Sequence, residues 1–129
     1  MWITVIEIQL TQLHASDREK IVNKFIQIST TTSSQDEASK ITDELLKKKL
    51  AGCVQVLGPI KSTYRWQGKV EKEKEWLLII KSTAELYEEI EQTILSIHSY
   101  EVPEIVAAPI VKGSKDYLKW LEKAVETKP

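Results

Sequence analysis

GCVQVLGPIKSTYRWQGKVEKEKEWLLIIKS, residues 52–82, is the stretch on which the fold turns. Val54, Val56 and the Ile60–Tyr64 region alternate in the manner of a strand with one face covered. The alternation breaks at Gly58-Pro59, where a bulge or bend fits. Gln67-Gly68 reads as a tight turn, since glycine accepts a positive φ without steric cost. Beyond the turn, Trp76 to Ile80 is an unbroken apolar run, which predicts a central strand covered on both faces. Two long strands joined by a short turn make a hairpin.

Upstream, Phe25 to Ser29 (FIQIS) is rich in β-formers and predicts a strand that the following TTTSSQ interrupts. Ser34 and Glu37 have the spacing of a capping box. Ala38, Ile41, Leu45 and Leu46 then recur at helical spacing, and Gly52 is placed to end that helix. Downstream, Ser82 and Glu85 suggest a second capping box. Leu86, Ile90, Ile94 and Ile97 form one apolar helical stripe. Pro103 stops any helix, and Ile105 to Ile110 predicts a last strand in which Pro109 must lie near an edge or end. Tyr117, Leu118, Leu121, Ala124 and Val125 mark a C-terminal helix capped by Ser114, with Glu126 to Pro129 expected to fray.

Strand, helix, strand, strand, helix, strand is the split βαβ order. The predicted class is therefore α+β, ferredoxin-like: a four-stranded antiparallel sheet with two helices on one face, plus a C-terminal helix. Such a sheet leaves its other face bare. Tyr64, Trp66 and Trp76 are large rings that a small domain cannot easily cover, and the hairpin is long for the sheet, so self-association is expected.

The chain has 129 residues, enough for one domain, taken as residues 24–129 behind an extension of residues 1–23. Ile6 to Leu10 alternates like a short strand; the N-terminus lacks the basic start of a signal and is too polar to span a membrane. Eighteen basic against nineteen acidic residues leave a net charge of -1, which gives no field for a nucleic-acid backbone. The lone cysteine, Cys53, excludes an internal disulfide and fits a reducing compartment, so a cytoplasmic location is expected.

There is no glycine-rich phosphate loop, and the arginine and asparagine of an acylphosphatase are missing near the first loop. RNA-recognition aromatics are likewise wanting on the first strand. Cys53 reads first as a small buried residue, and as a nucleophile only if a histidine reaches it. His98, in SIHSYEVPEI (96–105), has two readings. One is a helix C-terminal histidine favoured by unpaired carbonyls; the other is a metal ligand joined by Glu101, Glu104 or Cys53.

KLAGCVQ (49–55), YRWQGKVEKEKE (64–75), HSYEVPEI (98–105) and DYLKWL (116–121) together resemble the signature stretches of the CutA divalent-cation tolerance family. The resemblance covers about Phe25 to Leu121 and implies a homotrimer with a role in tolerance of copper and other divalent metals, with no enzymatic activity. It also implies metal-associated positions at Cys53, His98 and Glu104. An intersubunit cleft is implied among Tyr64, Trp66, Lys81, Tyr100 and Glu101. The chain departs from some members in having Ser29, Thr30 and Thr31 where a second cysteine can stand, and Ile97 before His98 where a second histidine can stand. Copper or another divalent metal is therefore expected to bind weakly. The rival readings are a trimer like the nitrogen-regulatory PII proteins, holding a small anion in its cleft, and a hydrolase using Cys53 and His98.

Overall fold

The computed structural model describes residues 24–127. The expected strand at Ile6 to Leu10 lies outside the described residues. Strand β1 (Phe25–Thr32) leads into helix α1 (Gln35–Lys47), then β2 (Cys53–Trp66) and β3 (Lys69–Thr83). A single 3-10 turn (Ala84–Leu86) enters α2 (Tyr87–Ile97), followed by β4 (Ile105–Pro109) and α3 (Lys115–Ala124). The strands pair in the order β2-β3-β1-β4, antiparallel throughout, which is the ferredoxin-like arrangement.

Strict alternation sorts the two faces of the sheet. Ile26, Ile28, Leu78 and Ile80 point toward the helices, where Ala38, Ile41 and Leu45 of α1 and Ile90 and Ile94 of α2 meet them. Each such Leu or Ile taken fully from water contributes about 1.5–3 kcal/mol. Leu46, expected on that stripe, is 44% exposed instead. The opposite face of β3 is only half-covered at Leu77 and Ile79, so the second cover expected for Trp76 to Ile80 is incomplete within one chain.

Several local expectations are corrected. β1 runs on through Thr32, because Thr30 to Thr32 pair with Leu78, Leu77 and Trp76 of β3; β-branched threonines suit a pleated, covered surface. Helix α1 exits at Lys49, not Gly52: Lys49 takes the left-handed φ of 56, and the Leu50 amide donates back to the Leu45 carbonyl. Gly52 serves packing, since a Cβ there would lie 2.6 Å from Leu121 Cδ1. Ser82 caps nothing; its buried hydroxyl donates to the Leu50 carbonyl, and the α2 start carries no side-chain cap. The C-terminal segment is tied as far as Glu126, whose amide donates to the Lys49 carbonyl.

The hairpin behaves as its sequence suggests. Gln67 (φ 49) and Gly68 (φ 79) form a two-residue turn with both φ values positive, the geometry that matches strand twist. The register shifts between Leu57 and Ile60, at Gly58-Pro59. β1 pairs with β3 only over Trp76–Thr83, so the β3 residues before Trp76 pair with β2 alone and the arm projects past the sheet.

Candidate functional site

The bulge decides what the projecting arm presents. Leu57 lies opposite Leu77, but Ile60 lies opposite Glu75, so one extra residue sits in β2. Before the bulge the odd-numbered residues of β2 share the helix-free face; after it the even-numbered ones do. Ser62, Tyr64 and Trp66 are thereby set on the same face as Glu71, Glu73 and Glu75. Trp76 falls on the other face, packed against the core and over Gly58, where a Cβ would come 2.2 Å from its ring. The ring expected to lie bare beside Tyr64 and Trp66 is thus half-buried.

The segment from α2 to β4 closes this face into a cavity of about 670 Å³, bounded by Tyr64, Trp66 and Glu75 from the hairpin and by Tyr100, Glu101 and Glu104 from the loop. That loop is pinned at three points. His98 Nδ1 accepts from the Tyr100 amide at 3.1 Å, which leaves the proton on Nε2, and Nε2 donates to the Thr31 carbonyl at 2.7 Å. Glu37, 8% exposed, does not close the capping box: Ser34 accepts from its amide, but its carboxylate takes the amide and hydroxyl of Ser99 at 2.5 and 3.2 Å. The Tyr100 hydroxyl donates to Glu75 Oε2 at 2.8 Å. His98 and Tyr100 rings also touch, with centroids 4.8 Å apart.

Electrostatics follow from this crowding. Burial first, then the hydrogen bond to Glu75 and the charges nearby, push the Tyr100 phenol well above its ordinary value of 10.0. Desolvation and the carboxylates of Glu73, Glu75 and Glu71 also push the Tyr64 phenol up. The sign for stability follows from linkage. The folded chain holds the Tyr100 proton more tightly than the unfolded chain does, so this contribution is full below pH 10.0 and declines as pH rises toward the folded value. Tyr100→Phe is expected to lose that component: its denaturation midpoint should fall less than that of the wild type between about pH 9 and about pH 11. Parallel declines would contradict the geometry.

The predicted residues are only partly brought together. Tyr64, Trp66, Tyr100 and Glu101 share the cavity, and Glu104 joins them. Lys81 does not: it donates to Gln55 at 3.0 Å and lies 5.9 Å from the Tyr117 ring centroid. Cys53 pairs with Lys81, six residues along β3 from Glu75, or roughly 20 Å at strand rise. Cys53, His98 and Glu104 of one chain therefore do not converge, and among the described residues no three His, Cys, Asp or Glu side chains could hold a metal ion. His98 has both nitrogens engaged by backbone groups, so it does not fit a ligand role within one chain; nor does it reach Cys53 as a hydrolase would need. His98 bonds the Thr31 carbonyl rather than the last carbonyls of α2, which refines the helix-end reading.

Two residues escape sequence reasoning. Glu75, 5% exposed, hides in the charged run KVEKEKEW, where nothing local sets it apart from Glu71 and Glu73. Glu37 is masked by its place in a capping box.

Residues 26–124 match the family described as CutA1 divalent ion tolerance protein. The chain is 41% identical over 105 residues to the divalent-cation tolerance protein CutA of Archaeoglobus fulgidus, covering 81% of this chain and 100% of that one. It is 37% identical over 99 residues to the chloroplastic protein CutA of Arabidopsis thaliana, covering 77% and 54% respectively. The crystal structure of CutA1 from Oryza sativa superposes with a TM-score of 0.79 at 32% identity, over 83% of this chain and 98% of that one. On the family match, the relatives and the superposition together, the chain belongs to the CutA1 divalent ion tolerance family.

Proposed function

We propose that the chain acts in divalent-cation tolerance as a homotrimer, drawing copper and other divalent ions weakly to the cleft lined by Glu75, Glu101 and Glu104. The observation that carries this reading is the cleft's lining: three carboxylates and no basic side chain. That lining supports a cation over the small anion of a PII-like role. Its carboxylates are spread round a cavity rather than converged, which fits loose and exchangeable association better than a coordinated ion. The trimer is supported by the projecting arm and by apolar groups left on the helix-free face, among them Leu57 at 48% and Val106 at 56% exposure. The role is binding rather than turnover.

Among the described residues no helix is long and apolar enough to cross a membrane. A cytoplasmic site of action remains part of the reading, supported by a single thiol with no partner cysteine.

Calorimetric titration with copper and with zinc tests the metal role. The Glu101→Gln, Glu104→Gln double variant is expected to bind each ion about tenfold more weakly than the wild type, the loss of two exposed charges near one site. Equal heats in both proteins would overturn it. Light scattering at micromolar concentration is expected to report three copies, and a stable folded monomer would remove the trimer.

A further inference from the structure

We propose that the cleft is built for a small organic cation, a short linear diamine with protonated ends, rather than for a bare ion alone. The proposal rests on the same cleft as the metal reading but asks a different chemistry of it. Glu75 is 5% exposed and accepts one hydrogen bond, from Tyr100, yet it forms no ion pair among the described residues. A carboxylate taken from water without a cation is costly, and its remaining lone pairs call for a donor. An ammonium group supplies three donors and the opposing charge.

The walls point the same way. Tyr64, Trp66 and Tyr100 border the cavity, and the faces of such rings attract ammonium groups while their bodies accept methylenes. Both tyrosine phenols are pushed up, first by burial and then in part by neighbouring carboxylates, Glu75 among them, in keeping with that charge. About 670 Å³ is ample for a small organic molecule and far larger than a dehydrated metal ion needs. Glu101 and Glu104 stand on the loop side of the same cavity, so a second ammonium has its own partners.

Calorimetry on the full chain, with 1,4-diaminobutane, n-butylamine and 1,4-butanediol as probes, separates charge from shape. The diamine is expected to bind saturably with a dissociation constant on the order of 1 mM or tighter. The monoamine should bind about tenfold more weakly, and the neutral diol should give no saturable heat. Glu75→Gln keeps an acceptor for Tyr100 and is expected to weaken the diamine at least about tenfold, with the thermal midpoint as a check on folding. Trp66→Leu, at an exposed position, should cost about threefold. No saturable diamine binding, or equal binding of diol and diamine, overturns the proposal. So does a structure of the oligomer in which a lysine or arginine of a neighbouring copy already fills the space against Glu75. Copper binding that depends on Glu101 and Glu104 alongside failure of all amines would sink this inference alone and leave the metal role standing.

Discussion

Alanine in place of His98 is expected to lower the unfolding free energy by about 2–3 kcal/mol. The imidazole joins two backbone groups from distant parts of the chain, the Thr31 carbonyl at the end of β1 and the Tyr100 amide in the cleft loop. Truncation leaves both without that partner, and Thr31 is only 8% exposed, so water does not readily replace the ring there. The ring contact with Tyr100 goes as well. Urea denaturation at one fixed protein concentration measures the loss, because self-association would otherwise shift the midpoint. A change below about 0.5 kcal/mol, the range of an ordinary surface substitution, would mean that His98 does not pin the loop. The amine affinity of the cleft should fall with it, since Tyr100 holds Glu75 only while the loop stays in place.

A larger loss, about 3–4 kcal/mol, is expected for Ile28→Ala. Ile28 is fully buried in the strand between β3 and β4, opposite Ile80 on one side and Ala107 on the other. Its side chain belongs to the cluster formed with Ile41, Leu45, Ile90 and Ile94, so removing it opens a cavity beneath both helices that neighbours on a rigid sheet cannot close. Val106→Ala, at 56% exposure on β4 of one chain, provides the comparison: the trimer proposed above covers its face, so it should cost about 1 kcal/mol, well short of the loss at Ile28. A loss at Val106 below about 0.5 kcal/mol, the range of an open surface site, would mean that the helix-free face stays uncovered in the assembled protein. That result would count against the trimer, while a small loss at Ile28 would contradict the core as described.

Periodicity alone was enough for the order of elements. The hydrophobic stripe from Leu86 to Ile97, the turn at Gln67-Gly68 and the edge position of Pro109 depend on contacts within a few residues, or on backbone geometry that one residue type permits. Local physics determines them, so they are legible in the chain. The helix exit at Lys49 was not, because glycine is only the usual occupant of a left-handed position. The pull there comes from the Leu50 amide returning to Leu45 while Leu50 sinks into the core.

The cleft shows the same division. Tyr64, Trp66, Tyr100, Glu101 and Glu104 were expected there from the family resemblance and Glu75 was not, and the grouping of the hairpin residues depends on the single extra residue at Gly58-Pro59. That residue inverts the parity of β2, so Tyr64 and Trp66 join Glu75, while the unbroken alternation of β3 keeps Trp76 on the core side with Leu78 and Ile80. Glu37 and His98 look like a helix cap and a helix end, yet both reach partners more than sixty residues away in sequence. Sequence by itself determined the type of each strand and helix and their order along the chain, since each follows from neighbours along the chain. Which side chains share the cavity, and which only stand near it in the motif, was decided by pairing register and by hydrogen bonds across the fold, interactions that exist only once distant segments have met.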